Sequence, residues 1–348
     1  MLRDVDARGL TASLVGLTLI VIAIGGLIRI YDAGEACPDW PTCFGTWGFE
    51  ISEQEQQEWY EENPNQIDSR GSSHRYSAFQ IFTEWFHRLL AGVVLGPLVL
   101  FNLWLCRQDE GLGPETGMAT MISVILIIWQ GAVGWLTVEL DNENWSVVLH
   151  LGSALAFTMS LIWVWLSASK DKGKLPAWFC FDSELANEWK SGTGLLALGA
   201  ILAIFSGTFV STTNGANSGC GISGFPGSWP LCEDRLVSTL NDIIAQSQMI
   251  HRWLVVIVGL SLLWASYSLW KGGVDVENGV ILRNWIWVAT GVFMANAAIG
   301  ATYVLSWNMN DGYFEFLSLL HLILGSLAFL ALATAWLGSV MVNRGRLS

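Results

Sequence analysis

The sequence predicts an all-α integral membrane protein whose eight transmembrane helices form two tandem pseudo-symmetric four-helix bundles. Three observations carry this expectation. Of the 348 residues, 52% are hydrophobic and only 14% are charged, with mean hydropathy +0.45, whereas soluble domains carry about a quarter charged residues. Eight apolar stretches are each long enough to cross a hydrocarbon core of about 30 Å as a helix. Motifs of the first half also recur in the second at an offset of roughly 170 residues. This composition excludes a soluble globular domain.

Helices are predicted over residues 10–30, 78–105, 118–139, 146–168, 192–212, 245–270, 284–306 and 314–341. The first follows Arg3 and Arg8 and runs into Arg29 and Tyr31 without a small-residue cleavage site, so it reads as a retained anchor. An even number of spans puts both termini on one face. That face holds eleven cations: Arg3, Arg8, Arg107, Lys170, Lys172, Lys174, Lys190, Lys271, Arg283, Arg344 and Arg346. The opposite face holds three, Arg70, Arg75 and Arg235. The bias predicts a multi-pass cell-membrane protein with both termini cytoplasmic and the cysteine loops outside. Much of the net charge of −13 comes from residues 31–77, where ten acids face Arg70 and Arg75 for a local balance of −8. The run Glu50 to Glu62 reads as a solvated face, with a helical cap or a docking surface as the alternatives. With no basic patch, nucleic acid is not an expected partner; the lipid bilayer is.

The internal repeat rests on three anchors. Cys37 to Cys43 (CPDWPTC) matches Cys220 to Cys232 (CGISGFPGSWPLC), both ending Trp-Pro-X-Cys. Glu84, His87 and Arg88 (EWFHR) match Gln248, His251 and Arg252 (QMIHR), and His150 (LHLGSALAF) matches His321 (LHLILGSLAF). Four spans per repeat keep the membrane orientation, which makes this a parallel duplication. The expected organisation is an N-terminal half over residues 1–170, a cytoplasmic linker over 171–191 and a C-terminal half over 192–348.

The topology puts Cys37, Cys43, Cys220 and Cys232 on the oxidising side, where two intra-loop disulfides are expected, and leaves Cys106 and Cys180 as thiols. Structural staples and a redox-active pair both suit these loops. Four of the five histidines fall inside spans, where ionisable side chains are costly and usually functional. Helical rise places them at depths of roughly 14 Å for His87, 6 Å for His150, 9 Å for His251 and 10 Å for His321, all in the outer leaflet. Two parallel helices per half, each with one imidazole at similar depth, suit bis-histidine haem ligation. A proton relay or interhelical packing is the alternative, while zinc or copper would want further ligands. Glu84 lies one turn before His87 on the same helix face, where the second half has neutral Gln248. A carboxylate there can accept a proton or stabilise positive charge, so chemistry is assigned to the first half and a resident haem to the second. An ion pair with Arg88 at i, i+4 is the alternative role for Glu84. Gln130 and Asn296 are expected to line the sites or join helices, and the neighbourhoods of Gly131, Gly134 and Gly291 to pack helices closely.

These segments together resemble haem A synthases of the full-length, eight-helix, two-disulfide kind. The resemblance rests on ACPDWPTCFG (Ala36 to Gly45), EWFHR, the two His-Leu segments from His150 and His321, QMIHR and the second Trp-Pro-Leu-Cys loop, and it covers nearly the whole chain. It implies oxidation of the C8 methyl of haem O to a formyl group, through an alcohol, giving haem A for aa3-type terminal oxidases. It implies His87 and His150 as ligands of the substrate haem O, Glu84 as the catalytic carboxylate, and His251 with His321 as ligands of the iron of a bound haem b. It also implies Cys37–Cys43 and Cys220–Cys232 disulfides, and as partners haem O synthase, oxidase assembly factors and an unidentified electron acceptor. The competing expectation is a non-enzymatic bis-histidine dihaem cytochrome; haems in one leaflet suit transmembrane electron transfer poorly.

Overall fold

The structure is a computed structural model that describes residues 6–238, 242–272, 279–310 and 312–343. Arg3, Arg344 and Arg346, which enter the charge argument above, lie outside the described residues. The described residues are helical, without named strands, and eight of the helices are long and apolar enough to cross a membrane. They are α1 (Ala7–Ile30), α3 (Ala78–Gln108), α4 (Pro114–Glu139), α5 (Asn144–Asp171), α6 (Ser183–Thr212), α7 (Ile243–Gly272), α8 (Gly279–Leu305) and α9 (Glu315–Asn343). The short α2 (Glu53–Glu62) lies in the first long loop.

Several helices start earlier than hydropathy indicates because capping, not apolarity, sets their ends. Asp6 accepts from the Arg8 amide at 2.8 Å ahead of α1, and Asp182 accepts from Leu185 at 2.8 Å ahead of α6. The α6 helix thus begins at Ser183 rather than near residue 192, its first turns polar, and the preceding segment holds a 3₁₀ turn, Ala177–Phe179. Ser77 and Gln80 form a capping box at the start of α3. Within α3, residues Leu89–Leu95 widen into a π-helix that closes with Gly96 N–H donating to Ala91 O. Pro97 accounts for the widening: it has no N–H to give, and its ring would press on the carbonyl four residues back.

The chain divides into two compact units, Met1–Trp165 and Leu166–Ser348. In the first, α1, α3 and α4 pack side by side, and Leu14, Leu95, Val99, Val124, Phe157 and Leu161 form a shared core that brings in α5. Asn102 donates to Thr11 Oγ1 at 3.0 Å, and Ser123 and Ser160 share a hydrogen bond of 2.9 Å. Such small polar pairs suit a lipid-exposed bundle, where apolar burial adds little between helices. In the second unit α9 packs on α8 and α6, and α7 packs on α6 and α8, so the four helices close a ring.

The first long loop folds as a cap. Cys37, Cys43, Phe44, Tyr60 and Tyr76 are buried together with Ile28 and Ile81 from the flanking helices. The run of acids is both helix and solvated face: α2 turns Gln56 and Tyr60 inward and leaves Glu53, Glu55, Glu58, Glu61 and Glu62 exposed. Gln56 straps the cap, its amide donating to Tyr76 O at 3.0 Å and accepting from Tyr76 N–H at 2.9 Å. Arg70 ties the cap to Asp32 and Glu35, at 3.0 and 2.9 Å. Replacing Gln56 with Leu leaves two buried backbone groups unpaired and is expected to cost about 2–3 kcal/mol. Limited proteolysis of residues 53–77 in detergent should then accelerate, with the spans still protected. Burial also pushes the Tyr60 hydroxyl up to about 12. Ionisation is therefore disfavoured in the folded cap, whose stability falls as pH rises from about 10 through 12.

Candidate functional site

Each unit places two imidazoles within the first three turns of its helices. In the first unit these are His87 of α3 and His150 of α5, and in the second His251 of α7 and His321 of α9. A glycine of the preceding long helix faces every one of them. A Cβ on Gly25 would lie 3.6 Å from His87 Nε2, and on Gly134 3.1 Å from His150 Cε1. On Gly207 it would lie 2.8 Å from His251 Cε1, and on Gly300 2.7 Å from His321 Cε1. The last two distances are too short for any side chain, so the rings are seated against bare backbone. Three of these glycines, Gly25, Gly207 and Gly300, are not singled out by sequence reasoning. The signal that finds them is a glycine on each odd-numbered span paired with a histidine on the next.

The His251 and His321 rings lie 6.1 Å apart between centroids, with planes at 85°. Two metal–imidazole bonds of about 2 Å, plus about 1.1 Å from each ligating nitrogen to its ring centre, give a separation of about 6 Å. That separation suits two imidazoles that would hold one metal ion between them. In the first unit His150 lies within electrostatic reach of both His87 and Glu84. Among the described residues no group of three or more His, Cys, Asp or Glu side chains converges on a point.

Glu84 and Arg88 form the ion pair anticipated as the alternative, Nε to Oε1 at 2.8 Å, with both side chains largely buried. The rest of the guanidinium grips the disulfide loop. It donates to Cys37 O and Thr42 O, each at 2.8 Å, and to Asp39 O. In the second unit Arg252 donates to Gln248 Oε1 at 2.5 Å and to Leu231 O at 2.7 Å, while Gln248 Nε2 donates to Asn217 O at 2.9 Å. Both expected disulfides form, Cys37–Cys43 and Cys220–Cys232, and all four sulfurs belong to buried residues. Although the pairs differ in spacing, six residues against twelve, each loop ends in the same short bridge, Cys43 with Thr46 and Cys232 with Arg235. Cys106 and Cys180 are free. Gln130 meets His150 through its side-chain amide, whereas Asn296 meets His321 through its backbone carbonyl and turns its own amide toward Gly325.

Apolar helices of membrane length, glycine-seated imidazoles and arginine-anchored disulfide loops define a multi-pass membrane protein with a pair of histidines on the long helices of each unit. A model of the COX15-CtaA family, described as cytochrome oxidase assembly protein, matches residues 8–333. The chain belongs to this family, that of the haem A synthases. It is similar to proteins named heme A synthase from Shouchella clausii, 28% identical over 70% of each chain, and from Novosphingobium aromaticivorans, 27% identical over 92% of this chain and 90% of the other. A third, from Lysinibacillus sphaericus, is 23% identical over 91% and 90%.

Proposed function

We propose that this protein is a haem A synthase, an oxidoreductase that converts the C8 methyl of haem O to the formyl group of haem A for aa3-type terminal oxidases. The observation that carries this reading is a chemical difference between two similar settings. Both units hold a histidine followed by an arginine that grips a disulfide loop, but Arg88 is held by a carboxylate and Arg252 by an amide. The first unit thus has a carboxylate that can take a proton where the second has an amide.

In this assignment His87 and His150 orient the substrate haem O, and Glu84, paired with Arg88, stands ready to accept a proton or stabilise positive charge at the carbon being oxidised. His251 and His321 hold a haem b that, when bound, supplies one-electron chemistry. The burial of both disulfides supports a stapling role. The positive-inside bias supports cytoplasmic termini and outward-facing cysteine loops. The matching glycine–histidine and arginine–loop pairs support a duplication of residues 1–170 in residues 192–348, joined by 171–191. Haem O synthase and oxidase assembly factors are the proposed partners, with an electron acceptor of unassigned identity.

The test is chromatography of haems extracted from protein expressed with and without haem O synthase. Haem b alone, joined by haem A or its alcohol precursor only when haem O is made, is the expected result. Haem O left unconverted beside haem b would favour the dihaem cytochrome. A second expectation concerns the glycine seats: Gly300→Ala displaces the His321 ring and should lower bound haem b about tenfold. Visible spectra of purified protein with unchanged helical content would show it, and full occupancy would remove Gly300 from the site.

A further inference from the structure

The α7 and α8 helices, 30 and 27 residues long, measure about 45 and 40 Å along their axes. Both exceed a hydrocarbon core of about 30 Å, so their ends reach the headgroups. The two helices are neighbours. Ser266 and Thr290 share a hydrogen bond of 2.9 Å, and the Trp287 indole N–H donates to Ser266 O at 3.1 Å. Lys271 follows Ser266 by five residues, and Arg283 precedes Thr290 by seven. In this antiparallel pair both therefore stand at the end of the unit away from the Cys220–Cys232 loop, at heights that differ by about 3 Å.

Each cation lies over an aromatic ring. The Arg283 guanidinium is 5.8 Å from the Trp287 ring centre, and Lys271 Nζ is 5.0 Å from that of Tyr267. Trp287, Tyr267 and Trp270 are about half exposed, at 47, 51 and 51%, as aromatic side chains at the level of lipid headgroups are. Arg283 Nε is shut away from solvent and has no hydrogen-bond partner. Among the described residues no carboxylate pairs with Arg283 or Lys271. A guanidinium partly withdrawn from water costs free energy until an anion meets it. Residues 273–278, which contain Asp275 and Glu277, lie outside the described residues.

We propose that Arg283 and Lys271, framed by Trp287, Tyr267 and Trp270, form a binding site for the phosphate of an anionic phospholipid at this end of the second unit. The planar guanidinium can engage two phosphate oxygens at once, and Lys271 adds a point charge at nearly the same height. Two cations without a protein carboxylate favour a lipid of net negative charge over a zwitterionic one, whose own ammonium offsets its phosphate. The aromatic surface beside them suits the glycerol and the upper acyl chains.

The test is native mass spectrometry of the full-length protein, delipidated in detergent and titrated with phosphatidylglycerol or phosphatidylcholine. The wild type should retain one phosphatidylglycerol more tightly than further copies, and phosphatidylcholine should not compete for it. Arg283→Gln and Lys271→Gln should each weaken that copy about fivefold at unchanged helical content. Arg235→Gln, at the opposite end of the same unit, should leave it unaltered. Equal retention of the two lipids, or phosphatidylglycerol retention that survives both substitutions, would overturn the site. Displacement by millimolar inorganic phosphate would make it a site for the free anion and overturn the lipid. Retention that appears only in the Asp275→Asn, Glu277→Gln double variant would assign the counter-charge to these acids and overturn the proposal as well.

Discussion

Glu84→Gln is expected to abolish haem A formation, with a loss of about 10²–10⁴-fold, while haem b content stays near that of the wild type. The second unit shows why this substitution isolates chemistry from structure. Gln248 occupies the corresponding position and its amide oxygen holds Arg252 at 2.5 Å, so an amide is sufficient to keep the arginine on its loop. Gln at position 84 should preserve the grip of Arg88 on Cys37 O and Thr42 O and lose only the capacity to take a proton. Glu84→Ala would be the wrong experiment. It leaves a buried guanidinium without its counter-charge, a change that costs about 3–5 kcal/mol and confounds folding with catalysis. Substantial haem A extracted from Glu84→Gln would remove Glu84 from the reaction and leave it as the anchor of Arg88.

His251→Leu and His321→Leu are each expected to eliminate the low-spin haem spectrum while the protein remains folded. The rings stand 6.1 Å apart, each against a glycine on which a Cβ would collide with it, so each imidazole has little freedom to move. Leucine fills the vacated space without adding a donor, and the helices around it are held by packing that does not involve the imidazole: Leu262, Leu269, Leu282 and Ile286 are fully buried elsewhere in this unit. An unaltered spectrum in either variant would mean that the haem is bound somewhere else.

The spans, both disulfides and the histidine-bearing helices were legible from sequence because each leaves a one-dimensional signature. Twenty apolar residues in a row, a cysteine pair in an outer loop, and an ionisable residue where lipid should be are all visible without coordinates. The start of α6 at Ser183 was hidden because a window of hydropathy is blind to a capped polar turn such as that at Asp182. The seats of His251 and His321 on Gly207 and Gly300 were hidden for another reason: a single glycine in a transmembrane helix is common, and only proximity shows which ring it admits. The strap from Gln56 to Tyr76 was equally hidden, its residues lying far apart in a loop whose composition suggested only solvation. For Glu84 the sequence offered a catalytic carboxylate or an ion pair, and the fold forms the pair while keeping the carboxylate near His150.

The wide turn at Leu89–Leu95 sets the rotational phase of one long helix in two independent segments. Above it lie His87 and the residues that meet the cap; below it, Val99 enters the unit core and Asn102 reaches Thr11. Each α-helical residue advances the helix by about 100°, so the extra residue absorbed by the π turn fixes which side of the lower segment meets α1. Removing one residue between Leu89 and Leu95 would straighten the turn and swing Val99 and Asn102 out of register with α1, even though the composition and length of the span would hardly change. For α3, then, correct assembly depends on the counting of residues as much as on their apolarity, and a single-residue deletion there should be far more damaging than a hydrophobic exchange at the same place.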